Sequence, residues 1–333
     1  MPRALPRPTR RRALQGSAVL AVVCGLLLWW LLPFGESAPS GRLTFSTGVK
    51  TGVYQRYGEL LKGALARDLP GVDIDLRTSE GSQQNLARVA AGEADYTIAT
   101  ADAVATYQRD ARPGADRLRA CARLYDDYVQ LVVPEGSPVK TPADLHGMKV
   151  GVGQPGSGVR LIAERVLRAA KLDPAKDIKP VSAGIDTMPD LLKGRRLDAF
   201  FWSGGLPTSA VQTLSEHLPI RLVPLGDKLV DQLLETSSVT RYYRSAVIPA
   251  DAYPHMLGGS VQVQTVAVTN LLVTTTDADP ELTERITRTV INSRDRIGHE
   301  VHPAQLVDFR TAIYTDPLPL HEGARRYYSS TKP

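Results

Sequence analysis

The chain has 333 residues and a mass of 36.2 kDa, with 40 Lys+Arg against 35 Asp+Glu and a formal charge of +5. Five basic groups (Arg3, Arg7, Arg10, Arg11, Arg12) and one acid (Glu36) fall in residues 1–40, so residues 41–333 keep 35 basic and 34 acidic groups, a net of +1 with no basic stripe for nucleic acid. An apolar content of 43% with one long charge-free apolar run excludes a disordered chain and a polytopic membrane protein, and two cysteines exclude a disulfide scaffold and a Cys-based zinc site.

The first predicted element is that apolar run, Ala13–Gly35, with 23 uncharged residues. As a helix rising about 1.5 Å per residue it covers a hydrocarbon core of roughly 30 Å. Arg10, Arg11 and Arg12 precede it and predict a cytoplasmic N-terminus, while Trp29 and Trp30 suit the outer interface. A cleavage site after Ala38 is spoiled by Glu36 and Pro39, which favours an uncleaved anchor over a signal peptide. The expected location is therefore the cell membrane, single-pass, with the C-terminal domain extracytoplasmic. Cys24 reads as an apolar residue of the anchor, and Cys121 as a buried free thiol.

The body alternates strand and helix. Leu43–Thr47 is a strand; Val53, Tyr57, Leu60, Leu61 and Ala64 then follow at helical spacing. Val72, Ile74 and Leu76 alternate as a second strand; Leu86, Val89 and Ala90 form a helical stripe; Asp95–Thr100 is a third strand, with a helix from Asp102. A strand over Tyr128–Val133 closes in the turn Pro134–Pro138. The pattern then restarts with a helix start at Thr141–Asp144 and a strand at Lys149–Val152. An amphipathic helix carries Val159, Ile162, Ala163, Val166, Leu167 and Ala170. Further strands are expected over Ile178–Ala183, Leu197–Trp202, Ile220–Leu225 and Gln262–Thr275, and helices over Pro280–Ile297 and Pro303–Thr311. This order calls for a largely parallel sheet covered by helices. The expected division is 1–40 as tail and anchor, 41–138 plus 241–333 as lobe 1, and 139–240 as lobe 2, with two chain crossings and a hinged cleft between the lobes.

Gly151–Gly156 fits G-x-G-x-x-G after a strand, but the strand that follows ends without the acid a dinucleotide site needs, so no cofactor is expected. Gly156, Ser157 and Gly158 nonetheless place amides and a hydroxyl at a helix N-terminus, a site suited to a carboxylate. The plain alternative is a tight turn capped by Ser157. No zincin spacing, nucleophile elbow or histidine cluster is present, so no metal site is expected, and the residues support binding better than catalysis. Three loops leave strand ends for helices: Gly48–Tyr54, Ser79–Asn85 and Thr100–Asp102. Open parallel sheets bind ligands at such ends. Gly48, Lys50, Tyr54, Gly81, Ser82, Asn85, Thr100 and Asp102 are the candidate contacts there, with Trp202 and Gly204 from the second unit. Asp102 stands open between helix cap and ligand contact, Asn85 between loop order and ligand contact, and Trp202 between cleft and core.

The run Thr47-Gly48…Gly52-Val53-Tyr54…Gly58 resembles the opening of the TAXI proteins, the solute-binding components of one class of TRAP (tripartite ATP-independent periplasmic) transporters. The resemblance continues in order through Gly81-Ser82…Asn85-Leu86, Gly92–Asp95, Ala101-Asp102, Asp144-Leu145…Gly147, Gly153…Pro155–Gly158, Asp198–Phe201, Gly204-Gly205…Pro207 and Leu320–Ala324…Tyr327-Tyr328. It spans nearly all of residues 42–328. It implies an α/β fold of the type 2 periplasmic-binding-protein kind, two mixed-sheet lobes with a hinged interdomain cleft. It also implies a ligand that is a small organic acid or an amino acid such as glutamate, handed to a sodium- or proton-driven permease. Three residues depart from the family pattern: Lys50 in a loop of small residues, Val159 for a hydroxyl residue, and Glu322 for a proline. The expected protein is a monomeric receptor for a small carboxylate, partnered by a TRAP-type permease and by the membrane through its N-terminal helix, with no nucleic acid. Lys50 is the expected charge partner for a second carboxylate. The rival readings are a ligand sensor for a membrane signalling partner and, more remotely, an extracytoplasmic enzyme.

Overall fold

Alternation over the first hundred residues of the body produces β1 (Gly41–Ser46), α1 (Val53–Asp68), β2 (Val72–Arg77), α2 (Ser82–Ala90), β3 (Tyr96–Thr100) and α3 (Ala101–Arg109) in the computed structural model, which describes residues 40–256 and 262–331 with Val22 and Val23. A 17-residue strand, β4 (Leu118–Pro134), follows. Then come β5 (Lys149–Gly151), α4 (Gly158–Ala169), β6 (Lys179–Val181), α5 (Met188–Lys193), β7 (Ala199–Gly204), α6 (Ser209–His217), β8 (Ile220–Leu222) and α7 (Asp227–Glu235). The chain ends through β9 (Tyr243–Ile248), β10 (Val263–Thr275), α8 (Pro280–Asn292), α9 (Arg294–Gly298), α10 (Phe309–Ala312) and α11 (Glu322–Ser330). The chain divides into units Met1–Ala38 and Pro39–Pro333, and all of these elements belong to the second. The expected anchor lies outside the described residues except for Val22 and Val23, which are helical. Among the described residues no helix is long and apolar enough to cross a membrane.

The strands of the described residues pair into one mixed sheet in the order β2-β1-β3-β10-β4-β7-β5-β6, with β8 on β4 and β9 on β10. Pairing is parallel within β2-β1-β3 and β7-β5-β6, and antiparallel wherever β4 or β10 takes part. The lobes expected from sequence thus do not carry separate sheets. At about 3.3 Å per residue, β4 reaches over 50 Å, long enough to run through both halves. A register shift in β10 between Thr269 and Leu271 falls opposite Asp126, and bulges of this kind re-aim side chains.

Apolar burial is divided. One cluster joins Phe45, Tyr57, Leu61, Ile98 and Leu272 to Ile286, Val290 and Tyr328. A satellite beneath α2 and α3 joins Leu86, Val89, Leu118 and Leu271. A third holds Val132, Ile162, Val166, Phe200 and Phe201, with Tyr243, Ile248 and Tyr253 from the segment expected in lobe 1. The helical stripe read for 159–170 is the buried face of α4, which lays Val159, Ile162, Ala163, Val166 and Leu167 on that third core. Cys121 is a buried free thiol.

Candidate ligand-binding cleft

Three helix N-termini converge where β1, β3 and β5 end. Helix α2 starts after Gly81, whose φ of +126° suits only glycine; a Cβ there would also stand 3.4 Å from Ser157 Cα on the opposite wall. Helix α4 starts at Gly158, capped by Ser157, whose Oγ accepts from Arg160 N at 3.0 Å and donates to Gln154 O at 2.7 Å. Helix α3 starts after Thr100, which is buried. First-turn amides have no partner within their own helix. Gln84 N answers this by donating across the gap to Gly156 O at 3.0 Å, and Gln83 Nε2 donates to Ser157 O at 2.8 Å. The two walls are therefore in contact, and the positive ends of α2 and α4 face one another.

Between them lies a cleft with about 630 Å³ of atom-free space, solvent at its mouth included. Of the residues proposed from sequence, Gly48, Tyr54, Gly81, Ser82, Thr100, Ser157, Gly158, Trp202 and Gly204 line it. Gly204 leaves room that a Cβ would take from the Trp202 indole, 2.6 Å away, and that indole donates to Thr208 Oγ1 at 2.9 Å. Trp202 is thus both cleft wall and core. Tyr54 OH donates to Asn270 Oδ1 and lies 3.1 Å from Ser82 Oγ, which in turn accepts from Thr100 N at 3.2 Å.

Four proposed contacts are not brought to the cleft. Lys50 is solvent-exposed in the turn before α1, because the side chains turned inward there are Val49, Val53 and Tyr54. Asn85 is fully buried: its Oδ1 accepts from Ser46 and Ser79 hydroxyls at 2.7 Å each, and its Nδ2 donates to Thr47 O and Ile98 O. It orders the loops that carry the cleft. Asp102 pairs with Arg165 of α4 at 2.6 Å and accepts from Tyr243 OH at 2.6 Å, so it joins elements behind the site. Gly156 stands on the outer side, where its carbonyl receives Gln84 N.

The floor of the cleft is made by a residue outside the motifs. Asp127, in the middle of β4, lines the cleft and is 3% exposed. Its Oδ1 accepts from Asn270 Nδ2 at 2.8 Å. Burial, and behind it the charges of Asp126 and Asp102, push its carboxyl up to about 7 against the pull of the Asn270 amide. Its neighbour Asp126 points to the opposite face of the strand; there Arg244 and the Thr269 hydroxyl hold it below the ordinary carboxylate range against the opposing effect of burial. Two consecutive acids in an apolar strand were the available signal, since alternation forces one of them to each face. Ser203 Oγ is also buried at the wall and has no partner among the described residues. Val49, Val53, Val159, Ile185 and Met188 make the rest of the wall apolar. Among the described residues the lining holds Asp127 and Glu80 but no Lys, Arg or His.

Residues 45–330 match the profile of the NMT1-like family. Among solved structures, an ancestral arginine-binding protein bound to arginine is similar at 17% identity, covering 78% of this chain and 98% of that one with a TM-score of 0.51. A putative L-cystine ABC transporter protein from Listeria monocytogenes matches at 14% identity over 80% of this chain and 98% of its own, TM-score 0.50. The periplasmic aliphatic sulphonate binding protein SsuA from Escherichia coli matches at 16% identity over 89% and 84%, TM-score 0.47. The fold is thus α/β and periplasmic-binding-protein-like, with a curled mixed sheet.

Proposed function

The chain belongs to the NMT1-like family, and from that premise we propose that it is an extracytoplasmic solute-binding protein that captures a small organic acid or amino acid for a TRAP-type membrane permease. The carrying observation is the pair of facing helix N-termini, α2 and α4, on either side of a mostly apolar cleft with no cationic side chain among the described residues of its lining. A carboxylate set between them would accept from the Gly158 and Val159 amides on one side and the Ser82 and Gln83 amides on the other. The apolar wall suits a solute with a hydrocarbon body. With Lys50 exposed, a second carboxylate has no charge partner, so a monocarboxylate fits better than a dicarboxylate.

In this reading residues 41–138 with 241–333 and residues 139–240 act as lobes that close on the solute, through its extra affinity for the closed form. The apolar run 13–35 tethers the receptor to the outer face of the cell membrane. No catalytic step is assigned, because the described lining of the cleft offers no nucleophile with a base beside it.

A thermal-shift screen of monocarboxylates, dicarboxylates and amino acids on the full chain tests the proposal. Solute at about 100 times its Kd adds roughly 2.7 kcal/mol of stability. No shift with any acid at millimolar concentration overturns it. For the partner, solute uptake by vesicles holding a TRAP-type permease should depend on added receptor; uptake indifferent to the receptor removes the transport role.

A further inference from the structure

Three acids cluster beneath the cleft, and among the described residues only two have a cation. Asp102 is paired with Arg165, and Asp126 with Arg244 and Arg123. Asp127 has only the neutral Asn270 amide, which Tyr54 OH fixes from its other end. Among the described residues the titratable groups near Asp127 offer no positive charge: Tyr54 from α1, Tyr125 and Asp126 from β4, and Asp102 from α3. Glu80, on the loop before α2, adds a second acid to the cleft. A buried carboxylate without a cation is costly, and a solute anion in the same enclosed space adds to that cost.

We propose that Asp127 is the specificity-determining residue of the cleft, obliging a solute carboxylate to enter with a cationic nitrogen of its own, which settles against Asp127. The assignment rests on the solute-binding reading above and adds a sign rule to it. The carboxylate is held by the α2 and α4 amides, and the nitrogen donates to the free lone pairs of Asp127. A carboxylate of the same shape without the nitrogen binds only when Asp127 carries a proton in its place. The two kinds of solute therefore have opposite pH trends, because one needs ionised Asp127 and the other needs it neutral.

Matched pairs on the full chain test this by calorimetry: leucine with 4-methylpentanoate, phenylalanine with 3-phenylpropanoate, glutamate with glutarate. Near pH 8 the nitrogen-bearing member of a binding pair should be tighter by about tenfold or more, the scale of one charge-assisted hydrogen bond. Between about pH 6 and pH 8 it should tighten by about tenfold while its partner weakens by about tenfold, as expected for a group titrating near 7. Asp127→Asn should abolish the preference and both slopes. Equal binding of a pair near pH 8, slopes of the same sign, or a preference that survives Asp127→Asn overturns the assignment while leaving the solute-binding function intact. Failure of every member to bind at both pH values overturns that function and the assignment together. The wild-type slopes decide the matter even if the variant does not fold.

Discussion

Asp102 and Asp127 are both buried and both sit within a turn of the cleft, but their surroundings differ in one respect. Asp102 has a guanidinium and a phenol in contact; Asp127 has an amide. The first acid closes a structural circuit between α3, α4 and β9, and the second leaves a charge open to whatever enters the cleft. The lesson is that the role of a buried acid is set by the inventory of its partners and not by its place in a motif. The largest effect should come from breaking the closed circuit. Arg165→Met leaves Asp102 buried without its cation and should cost about 3–5 kcal/mol in urea unfolding. Adding Asp102→Asn should return part of that loss. An Arg165→Met protein as stable as wild type would mean that the two acids are not different in kind.

The open acid should reveal itself through pH. The proton affinity of Asp127 is raised above that of an unfolded carboxyl, so between about pH 4 and 7 the folded chain holds a proton that the unfolded chain has lost. The contribution of Asp127 to solute-free stability therefore falls as pH rises through that window, by up to about 1.4 kcal/mol per pH unit, while His321, whose proton affinity is lowered by burial, contributes in the opposite sense. Asp127→Asn should flatten this slope. Asp126 works in the opposite sense, because its affinity is lowered: its contribution is present above the ordinary carboxylate range and is lost as pH falls through the lowered value. Urea midpoints of both proteins across the window read the difference directly. Parallel profiles for wild type and Asp127→Asn from about pH 5 to 7 would mean that Asp127 carries no raised proton affinity.

Asn85 extends the comparison to a neutral group. Its four hydrogen bonds are all to protein, so Asn85→Ala takes the shared acceptor from the Ser46 and Ser79 hydroxyls and one donor each from the Thr47 and Ile98 carbonyls in the interior. The expected loss is about 2 kcal/mol by chemical denaturation. A variant of unchanged stability would return Asn85 to the set of ligand contacts.

The alternation of β1 to α3 and the stripe of α4 were legible because each is a local pattern with one buried face. The first half of β4 was not. Leu118–Asp127 is buried almost throughout, so it has no period-two signal, and Arg119, Arg123, Asp126 and Asp127 disguise it further. Strand β9 also escaped; it pairs with β10 alone and carries Arg244 and Ser245 in its middle. At the site, the glycine and serine turns could be read because a helix start is written in a few consecutive residues. Charge compensation could not. Arg165 lies 63 residues from Asp102, and Asn270 lies 143 residues from Asp127, so only the assembled sheet decides which acid is satisfied.

The two facing serines supply the finest test. Ser157 was expected to hold the solute carboxylate, but its hydroxyl is already committed: it accepts from Arg160 N and donates to Gln154 O. Ser82 is different. Tyr54 has a single proton, which goes to Asn270, so the Ser82 proton is directed to Tyr54 oxygen or to a solute. Ser157→Ala should therefore behave as the loss of an N-cap, costing about 1 kcal/mol of stability. Solute affinity should change less than twofold, because the Gly158 and Val159 amides remain in place. Ser82→Ala should differ in binding, weakening solute several-fold, with a stability cost of about 1 kcal/mol for the acceptor that Thr100 N loses. Titrations of both variants with the tightest-binding acid from the screen, set beside their urea midpoints, separate a cap from a contact. If Ser157→Ala abolishes binding at unchanged stability, its hydroxyl must leave Gln154 for the solute, and the two walls become equivalent.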